Sequence, residues 1–124
     1  MRRWSPRCLS AALAAFVGFS AAAQAQVIPF GGNFGPGLSP EDNRLLLESV
    51  ARLNETEPSR VGRSDTWSNP QTKSHGSSTI LRVFHSDGME CHLVRHHIVA
   101  VRPPPRNYRF TWCRTASGEW KIKG

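Results

Sequence analysis

CHLVRHHIVAVRPPPRNYRFTWC, residues 91–113, decides the fold. Its first part alternates as a strand does: Cys91, Leu93, Arg95, His97 and Val99 fall on one face, His92, Val94, His96 and Ile98 on the other. A strand is predicted over residues 89–101. Arg102-Pro103-Pro104-Pro105-Arg106 must interrupt it, because proline donates no ladder hydrogen bond, and a stiff extended connector is expected there. Residues 108–114 form the next strand, with Tyr108, Phe110 and Trp112 on one face and Thr111 and Cys113 on the other.

Upstream, Ser86-Asp87-Gly88 reads as a hairpin turn, since Gly88 accepts the positive φ that the reversal needs. The β-branched and aromatic weight of Ile80, Val83 and Phe84 makes residues 77–85 a strand. The polar run 71–76 is a loop, and residues 63–67 a short strand stopped by Ser68-Asn69-Pro70. Downstream, Ser117-Gly118 turns into a last short strand over 119–123, where Trp120 and Ile122 share a face.

A helix over residues 40–54 precedes these strands. Ser39 caps it, Pro40 fits the first helical position, and Glu41 and Asp42 complement the positive end of its dipole. Leu46, Val50 and Leu53, widened by Leu47 and Ala51, make an apolar stripe, while Asn43, Arg44, Glu48 and Arg52 face outward. Pro58 prevents continuation. The expected class is therefore α+β: one N-terminal amphipathic helix packed on a small antiparallel β-meander of about five strands.

The chain opens as a secretory signal peptide over residues 1–25, with Arg2, Arg3 and Arg7 before an apolar core and Ala23-Gln24-Ala25 as cleavage site. That core is shorter than the roughly 20 residues of a spanning helix, and no transmembrane segment is expected after cleavage. Cys8 precedes the apolar core and is not placed for lipid attachment. Residues 26–38, dense in Gly and Pro, read as a flexible lead-in, and 39–124 as a single domain. Cleavage lowers the basic count from 16 to 13 against 9 acidic residues, so the net charge falls from +7 to +4. That charge favours an anionic envelope polymer or protein as partner, and no nucleic-acid module is recognisable.

Cleavage also leaves Cys91 and Cys113 as the only cysteines, and in an oxidising compartment they are expected to form one disulfide. The alternative is a thiol nucleophile at Cys91, which His92 on the opposite strand face serves poorly. His75, His85, His92, His96 and His97 raise a metal site, but His92 and His96 lie about 13 Å apart along an extended strand, so no metal or cofactor is assigned. Trp67, Trp112 and Trp120 with Tyr108 and Phe110 are either an aromatic platform or the core beneath the helix. Trp67, Arg102, Arg106 and Arg114 are the candidate binding-surface residues. Neither paired carboxylates nor a phosphate-binding glycine loop is present.

Gly62, Trp67-Ser68-Asn69-Pro70, Gly88 followed by Cys91, and Trp112-Cys113-Arg114 with Gly118-Glu119-Trp120-Lys121 together resemble the C-terminal domain of the rickettsial 17 kDa surface antigen family, over residues 39–123. Lys73 and His92 stand where the family pattern carries Gly and Arg. The resemblance implies an exported, disulfide-linked Gram-negative envelope domain, periplasmic or on the cell surface at the outer membrane, with no catalytic residues. A non-enzymatic binding domain is thus the expected function. The alternatives are a small exported thiol- or metal-dependent enzyme and a secreted inhibitor.

Overall fold

The computed structural model describes residues 34–123. The signal-peptide reading and residues 26–33 of the lead-in lie outside them. Among the described residues a helix α1 (Pro40–Glu55) is followed by strands β1 (Ser64–Ser68), β2 (His75–Ser86), β3 (Met89–Val99), β4 (Arg106–Arg114) and β5 (Trp120–Ile122). The strands form one antiparallel sheet in the order β1-β2-β3-β4-β5. No described helix is long and apolar enough to cross a membrane.

α1 starts where its sequence caps it. Asp42 N–H donates to Ser39 Oγ at 3.1 Å, and Asp42 Oδ2 accepts from Ser39 N–H at 2.9 Å, a reciprocal capping box with Pro40 at the first position. Leu46, Val50 and Leu53 are buried against the sheet, with Leu47 and Ala51 half-buried beside them. Asn43 does not face outward as expected: it is 7% exposed, its Oδ1 accepting from Phe34 N–H and its Nδ2 donating to Ser39 C=O.

That bond marks a second correction. The described end of the lead-in, residues 34–38, is packed: Phe34 is 0% exposed, with its ring centroid 5.8 Å from that of His96 and 6.2 Å from that of Phe110. Leu38 joins the same core. Gly35 and Gly37, both with positive φ (127° and 83°), carry the chain between the buried Phe34 and Leu38.

The hairpin between β2 and β3 turns on Asp87 and Gly88, both with positive φ (52° and 75°), the backbone that matches the twist of two antiparallel strands. β2 begins two residues earlier than expected, because His75 and Gly76 pair with Ser68 and Trp67 on one side and Val99 and Ile98 on the other. A Cβ on Gly76 would lie 2.4 Å from His97 O and 2.8 Å from Trp67 Nε1, so only glycine lets the Trp67 indole close the core there.

One irregularity sets the chemistry of the sheet. Between the pairs Ile80–Val94 and Arg82–Leu93 the register shifts, leaving Leu81 as the extra residue of a bulge. Before it, Gly76, Ser78 and Ile80 point to the helix side. After it, Val83 does, and Arg82 and Phe84 point away. The helix side of the remaining strands carries Val94 and Ile98 of β3, Phe110 and Trp112 of β4, and Trp120 and Ile122 of β5. On the opposite face Cys91 pairs directly with Cys113 across β3 and β4 and forms the expected disulfide.

Candidate functional site

Asp42, His92 and His96, buried on the helix side of the sheet, are each engaged with other polar groups. Asp42 is buried, and its Oδ1 accepts from Asn69 Nδ2 at 2.8 Å and Thr72 Oγ1 at 2.6 Å. Burial pushes this carboxyl up, but the bonds from Thr72, from the Ser39 backbone, from Asn69 and from the Ser39 hydroxyl outweigh it and hold it below the usual range. The Asn-Pro turn after β1 is thereby tied to the start of α1.

His96 is buried between two partners. Trp112 Nε1–H donates to His96 Nε2 at 3.1 Å, which places the ring proton on Nδ1, from where it is donated to Ser78 Oγ at 2.8 Å. Desolvation pushes its pKa down to about 4 from 6.5. A depressed histidine contributes stability that is complete above the unfolded value and is lost as pH falls toward the folded one. We therefore expect unfolding free energy to drop by about 2 kcal/mol between about pH 7 and pH 5. Urea titrations should show this, and His96→Gln, which keeps a donor and an acceptor, should flatten the slope. An equal slope in both proteins would rule His96 out as its source.

His92 is equally enclosed. Its Nδ1 faces Asn54 Oδ1 at 2.8 Å, its Nε2 faces Glu90 Oε1 at 3.1 Å, and its ring stacks on Trp120 with centroids 4.4 Å apart. Glu90 also accepts from Ser59 Oγ at 2.7 Å and pairs with Arg114 at 3.4 Å. The Ser59 bond chiefly, against opposing burial and helped by His92 and Arg114, holds the Glu90 carboxyl below its usual range. Both ring nitrogens of His92 and of His96 thus have protein partners, and Cys91 and Cys113 are joined in the disulfide. Among the described residues no group of three His, Cys, Asp or Glu is gathered where it could hold a metal.

The four residues expected to share a binding surface are dispersed. Trp67 is 5% exposed and belongs to the core. Arg102 is exposed in the connector after β3. Arg106 opens β4, donates to the Pro36 carbonyl and stands 5.9 Å over the Tyr108 ring, whereas Arg114 closes the same strand. Eight residues of extended chain separate these last two by roughly 27 Å.

A different set of cations shares one face. On the side of the sheet turned away from α1, Arg95 of β3 lies directly opposite Arg109 of β4, and Thr79 of β2 flanks Arg95 in the same row. Arg82, rotated outward by the bulge, is the diagonal neighbour of Arg95 through Leu93, and its guanidinium lies 4.6 Å over the Phe84 ring. Lys121 of β5 sits beside Cys113 on the same face. Among the described residues no carboxylate comes within ion-pairing distance of Arg82, Arg95 or Arg109. No Asp or Glu occupies an outward position within the strands.

One end of this face is hollowed. Thr66, Ser68, His75, Ser77, His97 and Val99 border a shallow depression of about 460 Å³, with Trp67 and Gly76 at its floor. His97 Nδ1 faces Asn107 Oδ1 at 3.0 Å in the row next to Arg95 and Arg109. Hydroxyls and imidazoles thus adjoin the guanidiniums. The arrangement can hold a phosphate or carboxylate between cations and hydrogen-bond the hydroxyls attached to it.

Arg82, Arg95 and Arg109 were not singled out by the sequence reading; strand alternation placed Arg95, but the register of its neighbours was not legible. Comparison with known proteins adds no relative: no family model, curated protein or solved structure matches the chain.

Proposed function

We propose that this is a non-enzymatic, exported cell-envelope domain that binds a phosphate-bearing envelope polymer, such as lipopolysaccharide, through the open face of its sheet. The observation that carries the reading is the arginine row itself. Arg95 and Arg109 are directly opposed like charges, an arrangement that costs a sheet stability unless an anion compensates it. The signal-like leader read from residues 1–25 supports an exported domain, periplasmic or at the outer-membrane surface, and the resemblance to the rickettsial surface antigens points the same way. Against a thiol or metal enzyme stand the paired cysteines and the occupied histidine rings.

The test is calorimetric titration of the purified protein with lipopolysaccharide and with a neutral polysaccharide. Arg95→Thr/Arg109→Thr is expected to weaken lipopolysaccharide binding at least about tenfold, or 1.4 kcal/mol. Raising salt from about 50 to 200 mM should weaken the wild type as well. The same variant should be more stable by about 0.5 kcal/mol, since it removes the opposed charges. Lost binding with retained stability separates this from misfolding. Absence of binding, or equal affinity in both proteins, would reject the proposal.

A further inference from the structure

On the other side of the molecule, between the last turn of α1 and strands β4 and β5, lies a half-open cavity of about 290 Å³. Its walls are the apolar side of Leu47, Val50 and Ala51 on the helix and the indoles of Trp112 and Trp120 on the strands. Asn54, Glu55 and Glu119 supply its polar edge, and no lysine or arginine lines it.

Asn54 is the informative group. It is 1% exposed, its Oδ1 is engaged with His92, and its Nδ2 has no hydrogen-bond partner. Turning the amide over would exchange the two ends without satisfying both, because only one can face the His92 ring. A buried amide end left unpaired costs about 1–3 kcal/mol, and Asn54 is one of the residues that line the cavity.

We propose that this cavity is a binding site for one neutral pyranose unit. A pyranose has an apolar face of C–H groups that lies flat on an indole, and a rim of hydroxyls that both donate and accept. Such a rim satisfies the free end of Asn54 in either orientation and donates to the carboxylates of Glu55 and Glu119. An anionic ligand would meet the Glu55 carboxylate, with Glu119 beside it neutralised only by its pair with Lys121 at 3.4 Å, and a purely apolar one would leave Asn54 unpaired. The volume lies at the small end of the range for small-molecule sites, about 300 Å³, which suits a single ring. The site does not depend on the arginine face and is separated from it by the sheet.

NMR titration of the purified protein with glucose, galactose, mannose and N-acetylglucosamine, each to about 20 mM, tests the inference in the millimolar range typical of weak single-site binding. For at least one sugar the indole resonances of Trp112 and Trp120 should shift saturably while that of Trp67 stays in place. Ala51→Leu, which fills the cavity from a half-buried helix position, should abolish the shifts while leaving the spectrum folded. Binding should be unchanged by added salt and in Arg95→Thr/Arg109→Thr, which keeps it distinct from polyanion binding. No saturable shift with any of the four sugars, or shifts that survive Ala51→Leu, would overturn it.

Discussion

Asp42→Ala is expected to destabilise the domain by about 4 kcal/mol, a large share of the roughly 5–15 kcal/mol that holds a small domain together. The Ser39 N–H of the capping box, the Asn69 amide and the Thr72 hydroxyl all donate to this one carboxylate. Removing it deletes half of the capping box, typically about 1 kcal/mol, and leaves the buried Asn69 amide without its acceptor, at about 1–3 kcal/mol more. Loss of the Thr72 bond accounts for the remainder. Asp42→Asn retains the shape and one carbonyl acceptor and should cost about half as much. Urea unfolding with an unchanged slope and a lowered midpoint is the expected readout. A loss below about 1 kcal/mol would mean that the turn after β1 holds its place without Asp42.

Removal of the disulfide ranks second. Cys91→Ala/Cys113→Ala should lower stability by about 3 kcal/mol, because the bond closes a loop across a sequence separation of 22 in the unfolded chain. For a domain of this size that corresponds to a fall in Tm of roughly 12–24 °C. Reductant should lower the wild-type Tm similarly and leave the double variant unaffected. In intact-mass analysis both thiols should be alkylated only after reduction. Free thiols without reductant, or a change of Tm under about 4 °C, would show that the β3–β4 ladder needs no covalent brace.

The acid response should have two stages. His96 accounts for the loss beginning below pH 6.5, as described above. Asp42 and Glu90, both held below the usual carboxylate range, contribute stability that is present above their unfolded values and lost only at more acidic pH, as they protonate in the folded state.

The parts of this fold that were legible in the sequence are those fixed by local chemistry. Ser39-Pro40 with Asp42 marks the helix start because the cap is satisfied within three residues. Asp87-Gly88 marks the hairpin because two adjacent residues must take positive φ. The alternation of β3 and β4 follows from the period of a strand, and from it came the meander; the pairing of Cys91 with Cys113 came from their being the two cysteines left after leader cleavage.

What was missed depends on partners distant in sequence. Phe34 reads as part of a loose Gly- and Pro-rich stretch, and only the Asn43 bond and the rings of His96 and Phe110 show it to be core. The Asp42 cluster joins positions 27 and 30 residues apart. His92 and His96 look like ligands in a one-dimensional count, but Asn54, Ser78 and Trp112, which occupy their rings, come from other elements.

The arginine face is the sharpest case. In an unbroken strand Arg82 would share the buried face with Ile80, and the bulge at Leu81 sends it outward. Arg109 meets Arg95 through the β3–β4 register, the same register that opposes Cys91 and Cys113. Neither event has a local sequence signature. The candidates taken from sequence, Arg102, Arg106 and Arg114, are instead spread along one connector and the two ends of one strand.

The most direct measurement of the binding account is a residue-resolved NMR titration of the protein with the phosphate-bearing core oligosaccharide of lipopolysaccharide. Shifts confined to Thr79, Arg82, Arg95, His97 and Arg109, reversed by salt, are the predicted result. Shifts concentrated on α1, or none at all, would contradict the assignment of the open sheet face as the binding surface.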